Sequence, residues 1–171
     1  MKTLGRVVFG LLRIWLGYQW LEAGLEKLSN PAWVGDKAGV AITGFFNGAI
    51  AKATGDHPAV QGWYAAFLKN VALPHATFFS YLVSIGEFLV GMALIFGVLT
   101  GFAALVGAFM NLNFMLAGST STNPILYTVA IIVALAGARA SYFGLDYYVM
   151  PIVRRLIDRV RGKEARVGAT A

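Results

Sequence analysis

Long apolar runs separated by short polar clusters are the main pattern of this sequence. Four runs approach or exceed the ~20 residues that a helix needs to cross a hydrocarbon layer. They cover residues 4–28, 75–98, 101–118 and 124–142. The second and third are joined only by Gly97-Val98-Leu99-Thr100-Gly101, which favours an antiparallel helical hairpin. The pattern therefore predicts an all-α integral membrane protein built as a four-helix bundle.

Residues 29–74, between the first and second runs, carry apolar residues at helical spacing on both sides of a break at Gly55-Asp56-His57-Pro58. The first set is Ile42, Phe45, Phe46, Ala49, Ile50 and Ala53, and the second is Val60, Trp63, Tyr64, Phe67, Leu68 and Val71. We expect two short amphipathic helices that lie on the outer membrane surface or cap the bundle. Such an insert serves as a structural lid, or as a ligand gate or docking surface.

Basic residues set the expected orientation. Lys2 and Arg6 precede the first run, and six of the fourteen Lys and Arg residues lie in the last eighteen positions. Because cytoplasmic flanks are enriched in Lys and Arg, both termini are predicted to lie inside. This gives one transmembrane domain at residues 1–150, a basic cytoplasmic tail at 151–171 and an outer insert. A cleaved signal peptide is the alternative for the first run, but Arg13 interrupts it and no clear cleavage site follows.

Composition supports a location in the cell membrane as a multi-pass protein. Of the 171 residues, 58% are hydrophobic and 13% are charged, whereas soluble domains carry about a quarter charged residues. The net charge of +6 is concentrated at the ends of the chain, where it suits anionic lipid and not nucleic acid.

Cysteine is absent, and the two histidines, His57 and His75, lie outside the deep parts of the apolar runs. These counts exclude thiol redox chemistry, cysteine-ligated iron–sulfur or zinc sites, and a bis-histidine haem inside the bilayer. We therefore expect no metal and no covalently bound cofactor.

Charged residues inside the apolar runs are candidates for function, because a charge at a helix centre costs about 2.5–3.5 kcal/mol on insertion scales. Arg13, Glu22 and Glu87 qualify. One face of the first helix carries a stripe of polar and small residues, namely Arg13, Gly17, Trp20, Gly24 and Lys27. The second helix carries a similar stripe of Ser80, Ser84, Glu87 and Gly91.

Arg13 and Glu87 are predicted to pair near the bilayer midplane. At ~1.5 Å per residue, Arg13 lies ~10 Å and Glu87 ~18 Å from the inner ends of their helices, a difference that two long side chains can bridge. Asn111 falls at a similar depth, so these three residues form a predicted polar core. The core is either a ligand site or a buried ion pair that only sets the helix register.

Glu22 lies on the opposite face of the first helix, about 180° from Arg13. Glu22 and Glu26 are four residues apart and repel each other, so this face calls for a cation, a shared proton or a partner. It either carries a proton site or holds acids solvated at headgroup level.

These motifs resemble the DoxX family. The first helix has its Arg…Gly…Gly…Lys opening, the second its Gly-Glu…Gly…Gly signature, and Tyr142-Phe143-Gly144-Leu145-Asp146 its aromatic and acidic close. The matching residues are Arg13, Gly17, Gly24, Lys27, Gly86, Glu87, Gly91, Gly97, Thr100 and Asp146. The long insert and Asn123-Pro124 are most similar to the DoxD branch, a subunit of thiosulfate:quinone oxidoreductase.

The resemblance implies a four-helix membrane bundle in a prokaryotic plasma membrane, associated in parts of the family with electron transfer from sulfur compounds to quinone. It points to Arg13, Lys27, Glu87 and Asp146, while Trp20, Glu22 and Asn111 rest on the residue pattern alone. Three functions remain open: a quinone-binding oxidoreductase subunit, a non-catalytic anchor or assembly factor for an exported enzyme, and a small transporter. Expected partners are the bilayer, a redox or exported protein, or a second copy of the chain.

Overall fold

The computed structural model describes residues 2–153 and 155, and secondary structure within them is entirely helical. The α-helices are α1 (Lys2–Leu28), α2 (Val40–Ala51), α3 (Gly62–Phe67), α4 (Ala76–Phe96), α5 (Thr100–Leu116) and α6 (Asn123–Ala136). A 3₁₀ turn at Gly137–Arg139 follows α6, and residues 146–153 are helical again. The all-α prediction is confirmed for this part of the chain. Most of the predicted tail at 151–171 lies outside the described residues.

The four longest helices, α1, α4, α5 and α6, pack side by side around one apolar core. Helix α4 lies between α1 and α5, and α6 lies between α5 and α1. The core residues are Leu16, Trp20, Val90, Leu94, Ala103, Ala104, Ala108, Ala130, Val133 and Ala140. The alanines allow α5 and α6 to approach closely, as small residues do between membrane helices.

Helices α1 and α4 run antiparallel with their backbones in contact at glycines. A Cβ atom on Gly24 would overlap the backbone of Phe88, and one on Gly91 would overlap the backbone of Leu21. Further along, Gly17 lies against Ile95. These three contacts share one register, and they therefore fix which residue of α4 lies beside each residue of α1.

The insert differs from its prediction because its second helix continues into α4. The chain remains helical from Gly62 to Phe96 through a π-helical turn at Leu68–Ala72 and a 3₁₀ turn at Leu73–His75. The predicted start of the second run at residue 75 lies next to the start of α4 at Ala76, but the expected separation between that run and the second helix of the insert was wrong. Pro74 lacks an amide hydrogen, but the irregular turns around it absorb this loss without ending the helix.

The insert caps one end of the bundle and has its own apolar core. This core contains Ile42, Phe46 and Ala49 of α2 together with Tyr64 and Leu68. The cluster packs against the N-terminal end of α4 and the C-terminal end of α5. Hydrogen bonds also join the insert to α4, to α5 and to the turn after α5. The structure thus favours the alternative in which the insert caps the bundle over the one in which its helices lie on a membrane surface. The bonds run from Ser80 Oγ to the Trp33 carbonyl (2.6 Å), from Gly35 N to Tyr81 Oη (3.1 Å), from Tyr64 Oη to the Asn113 carbonyl (3.1 Å) and from Lys52 Nζ to the Gly118 carbonyl (2.9 Å).

By length and hydropathy, one helix in the described residues qualifies as a membrane span, Gly62–Phe96. Three other apolar helices, Val40–Ala51, Thr100–Leu116 and Asn123–Arg139, have 10–17 residues each. The predicted fourth run was too long at its C-terminal end, because α6 ends at Ala136 and Gly137 adopts a positive φ of 52°.

Candidate functional site

Glu87 forms an ion pair with Lys27, not with Arg13. The Lys27 Nζ lies 2.7 Å from Glu87 Oε2, and the two side chains are 19% and 2% exposed. The contact of Gly24 with the backbone of Phe88 brings the C-terminal end of α1 to the level of Glu87, and Lys27 follows one turn later. Lys27 also lies over the ring of Trp33, 5.2 Å from its centroid, which is within cation–π range.

The predicted Arg13–Glu87 pair is therefore wrong, and helix register explains why. In the register set by the glycine contacts, Glu87 lies at the level of Leu25 on α1, because Gly24 meets Phe88. Arg13 lies twelve residues from Leu25, which corresponds to ~18 Å along α1. Two extended side chains do not span that distance.

Arg13 is instead buried at the other end of the bundle, where its guanidinium lies against Gly97 and Gly144. A Cβ atom on either glycine would overlap the guanidinium, so both positions need a residue without a side chain. Gly97 ends α4 in the left-handed conformation, with φ at 67°. A cation here complements the partial negative charge at a helix C-terminus.

Asp146 completes this end of the bundle. Its carboxylate accepts hydrogen bonds from the Leu99 and Thr100 amides at the start of α5. Its own amide donates to the Gly97 carbonyl at 2.7 Å. Three residues singled out by the family resemblance, Arg13, Gly97 and Asp146, thus meet in one cluster that fixes the α4–α5 turn and the segment after α6.

A cavity of about 690 Å³ lies between the insert and those halves of α1, α4 and α5 that are nearest to the insert. Its walls are mainly aromatic and aliphatic, and Lys27 and Glu87 contribute its charged groups. The lining includes Trp20, Ala23, Trp33, Phe45, Phe46, Tyr64, Phe67, Phe79, Leu82, Val83, Gly86, Val106, Phe109, Met110, Asn113 and Phe114, with hydroxyl and amide groups of Ser119, Ser121, Thr122 and Asn123 at one edge. An apolar cavity with few polar groups is the usual form of a small-molecule site.

Trp20 is the second of the predicted candidates that reaches the cavity. Its side chain is 2% exposed and packs against Gly107, and its indole Nε1 has no hydrogen-bond acceptor among the described residues. A buried donor without an acceptor costs about 1–3 kcal/mol unless another group satisfies it. The Nε1 atom lies against Gly107 of α5, which is not part of the cavity lining, so Trp20 contributes its ring and not its donor to the cavity wall.

The other predicted candidates do not join this site. Asn111 is fully buried, with both side-chain amide atoms unpartnered within the described chain, but it does not line the cavity. Glu22 and Glu26 are exposed on the outer surface of α1. The expected polar core of Arg13, Glu87 and Asn111 is thus divided between two ends of the bundle and a buried position on α5.

Several lining residues were not proposed as site residues from the sequence. Lys27 was known only as a motif residue, and Trp33, Tyr64 and Asn113 were not assigned to a site. Tyr64 Oη also lies 3.1 Å from Asn113 Oδ1, across the cavity wall from α3 to α5. The only available signal was the run of aromatic residues in the insert, which does not show what the insert packs against.

The site offers one buried acid, one ammonium group and flat aromatic walls. Among the described residues, no cluster of three or more His, Cys, Asp or Glu residues is placed to hold a metal ion. The groups present can bind a planar apolar molecule, donate hydrogen bonds to its oxygen atoms and exchange a proton with it.

Comparison with known proteins identifies the family. No curated protein and no solved structure matched the chain. The family model described as DoxX matches residues 8–120, which include α1, the insert, α4 and α5 and with them almost the whole cavity lining. The match ends before Asp146, so the cluster at the other end of the bundle is only partly covered. Because the match covers more than half of the chain, the protein belongs to the DoxX family of membrane proteins.

Proposed function

We propose that this protein is the membrane subunit of a quinone-linked oxidoreductase and that the cavity beneath the insert is its quinone site. The observation that carries the proposal is the Lys27–Glu87 ion pair in the wall of an otherwise mainly apolar cavity. A buried ion pair is weak evidence for stability, because its desolvation offsets most of the attraction. Its position on a cavity fits a role in binding.

The residues present fit a quinone head group. The ring is flat and apolar and so matches the aromatic and aliphatic walls of the cavity. A volume of about 690 Å³ accommodates it. The ammonium of Lys27 is a donor for a carbonyl oxygen, Trp20 adds an aromatic face to the wall, and Glu87 is a buried carboxyl group that can hold or release a proton. A bound quinone supplies an acceptor for two electrons and two protons. Lys27 orients it, and the insert keeps water from the ring.

The proposed topology has four membrane spans, α1, α4, α5 and α6, with both termini in the cytoplasm. The basic residues at both ends of the sequence support this orientation. The insert and the cavity then lie at the outer side of a prokaryotic plasma membrane, and the Arg13–Asp146 cluster lies at the inner side. Electrons reach the cavity from a protein partner or directly from a substrate. The DoxD-like insert favours a sulfur compound as the electron donor.

A role as an anchor or assembly factor is the second candidate, and the surface of α1 favours it. Glu22 and Glu26 are exposed beside the partly exposed Trp15 and Tyr18 on one face of α1. Such a polar pair on an otherwise apolar face suits a partner helix that carries a cation.

Fluorescence of the cavity tryptophans tests the quinone proposal. Trp15 and Trp63 lie outside the cavity lining, so the variant Trp15→Phe with Trp63→Phe leaves Trp20 and Trp33 as reporters. In nanodiscs, a decyl-substituted benzoquinone should quench this fluorescence saturably. Lys27→Met should weaken binding by about tenfold or more, because charge-assisted hydrogen bonds are the strong ones.

Lys37→Met is the matched control, since Lys37 is exposed and does not line the cavity. The double variant Lys27→Met with Glu87→Leu removes the unpaired carboxylate that Lys27→Met leaves at Glu87. It therefore shows whether a loss of binding comes from misfolding. Quenching that never saturates, or equal effects of the substitutions at positions 27 and 37, would reject the quinone site and leave the anchor function.

A further inference from the structure

The cavity opens sideways between α4 and α5. Leu82 on α4 and Phe109 on α5 both line the cavity, and they are also 52% and 66% exposed. Phe67 of the insert also lines the cavity and is partly exposed. We call these three residues the α4–α5 window. Side chains that border the cavity and the outer surface together mark an opening in its wall.

The window faces the same direction as the apolar outer surfaces of its two helices. On α4 the exposed residues are Phe78, Leu82, Ile85 and Leu89, and on α5 they are Phe102, Leu105, Phe109 and Leu112. In a membrane protein, such continuous apolar faces contact lipid. The window therefore leads from the cavity to the hydrocarbon of the bilayer and not to water.

Next to the window, α4 and α5 meet through a flexible side chain. Below the window, Gly86 has no side chain, and the nearest atoms to a Cβ placed there belong to the thioether of Met110, at 3.5 and 3.6 Å. Methionine is a flexible filler that changes rotamer readily. By contrast, α1 and α4 meet backbone to backbone at Gly24 and Gly91, which closes that side of the cavity.

The ion pair and the window lie on different sides of α4. Lys27 and Glu87 are at the α1 side, and Leu82 and Phe109 are at the α5 side. The remaining edge of the cavity is polar, with Ser121 and Thr122 exposed. A hydrocarbon chain is favoured at the window and disfavoured at the polar edge.

We infer that the ligand of this cavity is a lipid-soluble molecule with a planar polar head and a long hydrocarbon tail. The head lies at Lys27 and Glu87, and the tail leaves through the α4–α5 window into the bilayer. This inference rests on the proposed function, and it adds the requirement for a tail and the route by which the ligand enters. The ligand exchanges with the membrane pool without passing through water.

The natural absence of cysteine allows a direct test by chemical labelling. Leu82→Cys and Phe109→Cys are each modified with a bulky, non-fluorescent maleimide in the variant that retains only Trp20 and Trp33. Leu89→Cys and Leu105→Cys are the matched controls, because they lie on the same lipid-facing surfaces but do not line the cavity. Quenching is then measured with a decyl-substituted benzoquinone and with the same head group lacking the tail.

An adduct at position 82 or 109 should weaken binding of the tailed ligand by about tenfold or more, while the tail-less ligand changes by less than about twofold. Adducts at positions 89 and 105 should affect neither ligand. Retained binding of the tail-less head also shows that the labelled protein is folded.

Two results would overturn the inference and can be told apart from failure of the proposed function. If adducts at the window have no more effect than those at the control positions, or if both ligands lose affinity equally, the tail does not use the window. If neither ligand quenches saturably in the unlabelled protein, the quinone site itself is rejected.

Discussion

Replacing Lys27 by methionine removes the cation that faces Glu87 and leaves a carboxylate that is 2% exposed. Breaking a buried ion pair by removing one partner costs about 3–5 kcal/mol, since the remaining charge is uncompensated. We expect Lys27→Met to lower the free energy of unfolding by about 3 kcal/mol or more, or to force Glu87 to take up a proton.

The opposite substitution, Glu87→Leu, should cost less. Lys27 is 19% exposed and has a long flexible side chain, so its ammonium can turn toward the headgroup region when its partner is lost. We expect about half the effect of Lys27→Met. The two effects should not add: with a coupling energy of about 2 kcal/mol, the double variant should lose about 2.5 kcal/mol, whereas independent effects would sum to about 4.5 kcal/mol.

Reversible unfolding in mixed micelles, titrated with a denaturing detergent, measures these differences. The control cycle combines Arg13→Met with Glu87→Leu, whose effects should add to within about 0.5 kcal/mol because the two sites are ~18 Å apart along α1. A coupling energy near zero between Lys27 and Glu87, or a large one between Arg13 and Glu87, would refute the register deduced from the glycine contacts.

Three further predictions concern packing, capping and topology. Gly24→Ala should destabilise the protein by about 1–3 kcal/mol in the same unfolding assay, because its Cβ meets the backbone of Phe88, whereas Gly5→Ala has open space and should be neutral or stabilising. Asp146→Ala should cost about 0.5–2 kcal/mol through loss of the cap on α5, and an unchanged unfolding midpoint would show that the cap contributes nothing. Reporter fusions after Thr54 should lie outside the cell and fusions after Arg161 inside, and a shared side for both would exclude the four-span topology.

The sequence alone was sufficient for the class of protein and for most helix positions. Apolar runs at helical length predicted α1, α4 and α5 to within a few residues at most ends, and the hairpin turn at Gly97 was found where expected. What the runs did not predict was that the second helix of the insert continues through Pro74 into α4. A proline can be accommodated by irregular turns, so sequence cannot distinguish an interrupted helix from a continued one at such a point.

The sequence also identified charged residues that belong to organised clusters, but it could not pair them correctly. The position of Arg13 or Glu87 along its own helix follows from residue number, whereas the offset between two helices depends on which surfaces interlock. The backbone contacts of Gly24 and Gly91 set that offset, and they place Lys27 beside Glu87 and Arg13 beside Gly97.

The cavity and its window belong wholly to the tertiary structure. The aromatic residues of the insert have the same periodicity whether they lie on a membrane surface or cover a bundle, because periodicity shows that a helix has an apolar face and not what covers that face. Only the folding of the insert over α4 and α5, held by the hydrogen bonds of Ser80 and Tyr64, creates the cavity next to the ion pair. Its lateral opening lies near Gly86, where α4 and α5 meet through the flexible side chain of Met110, a contact between residues far apart in the sequence.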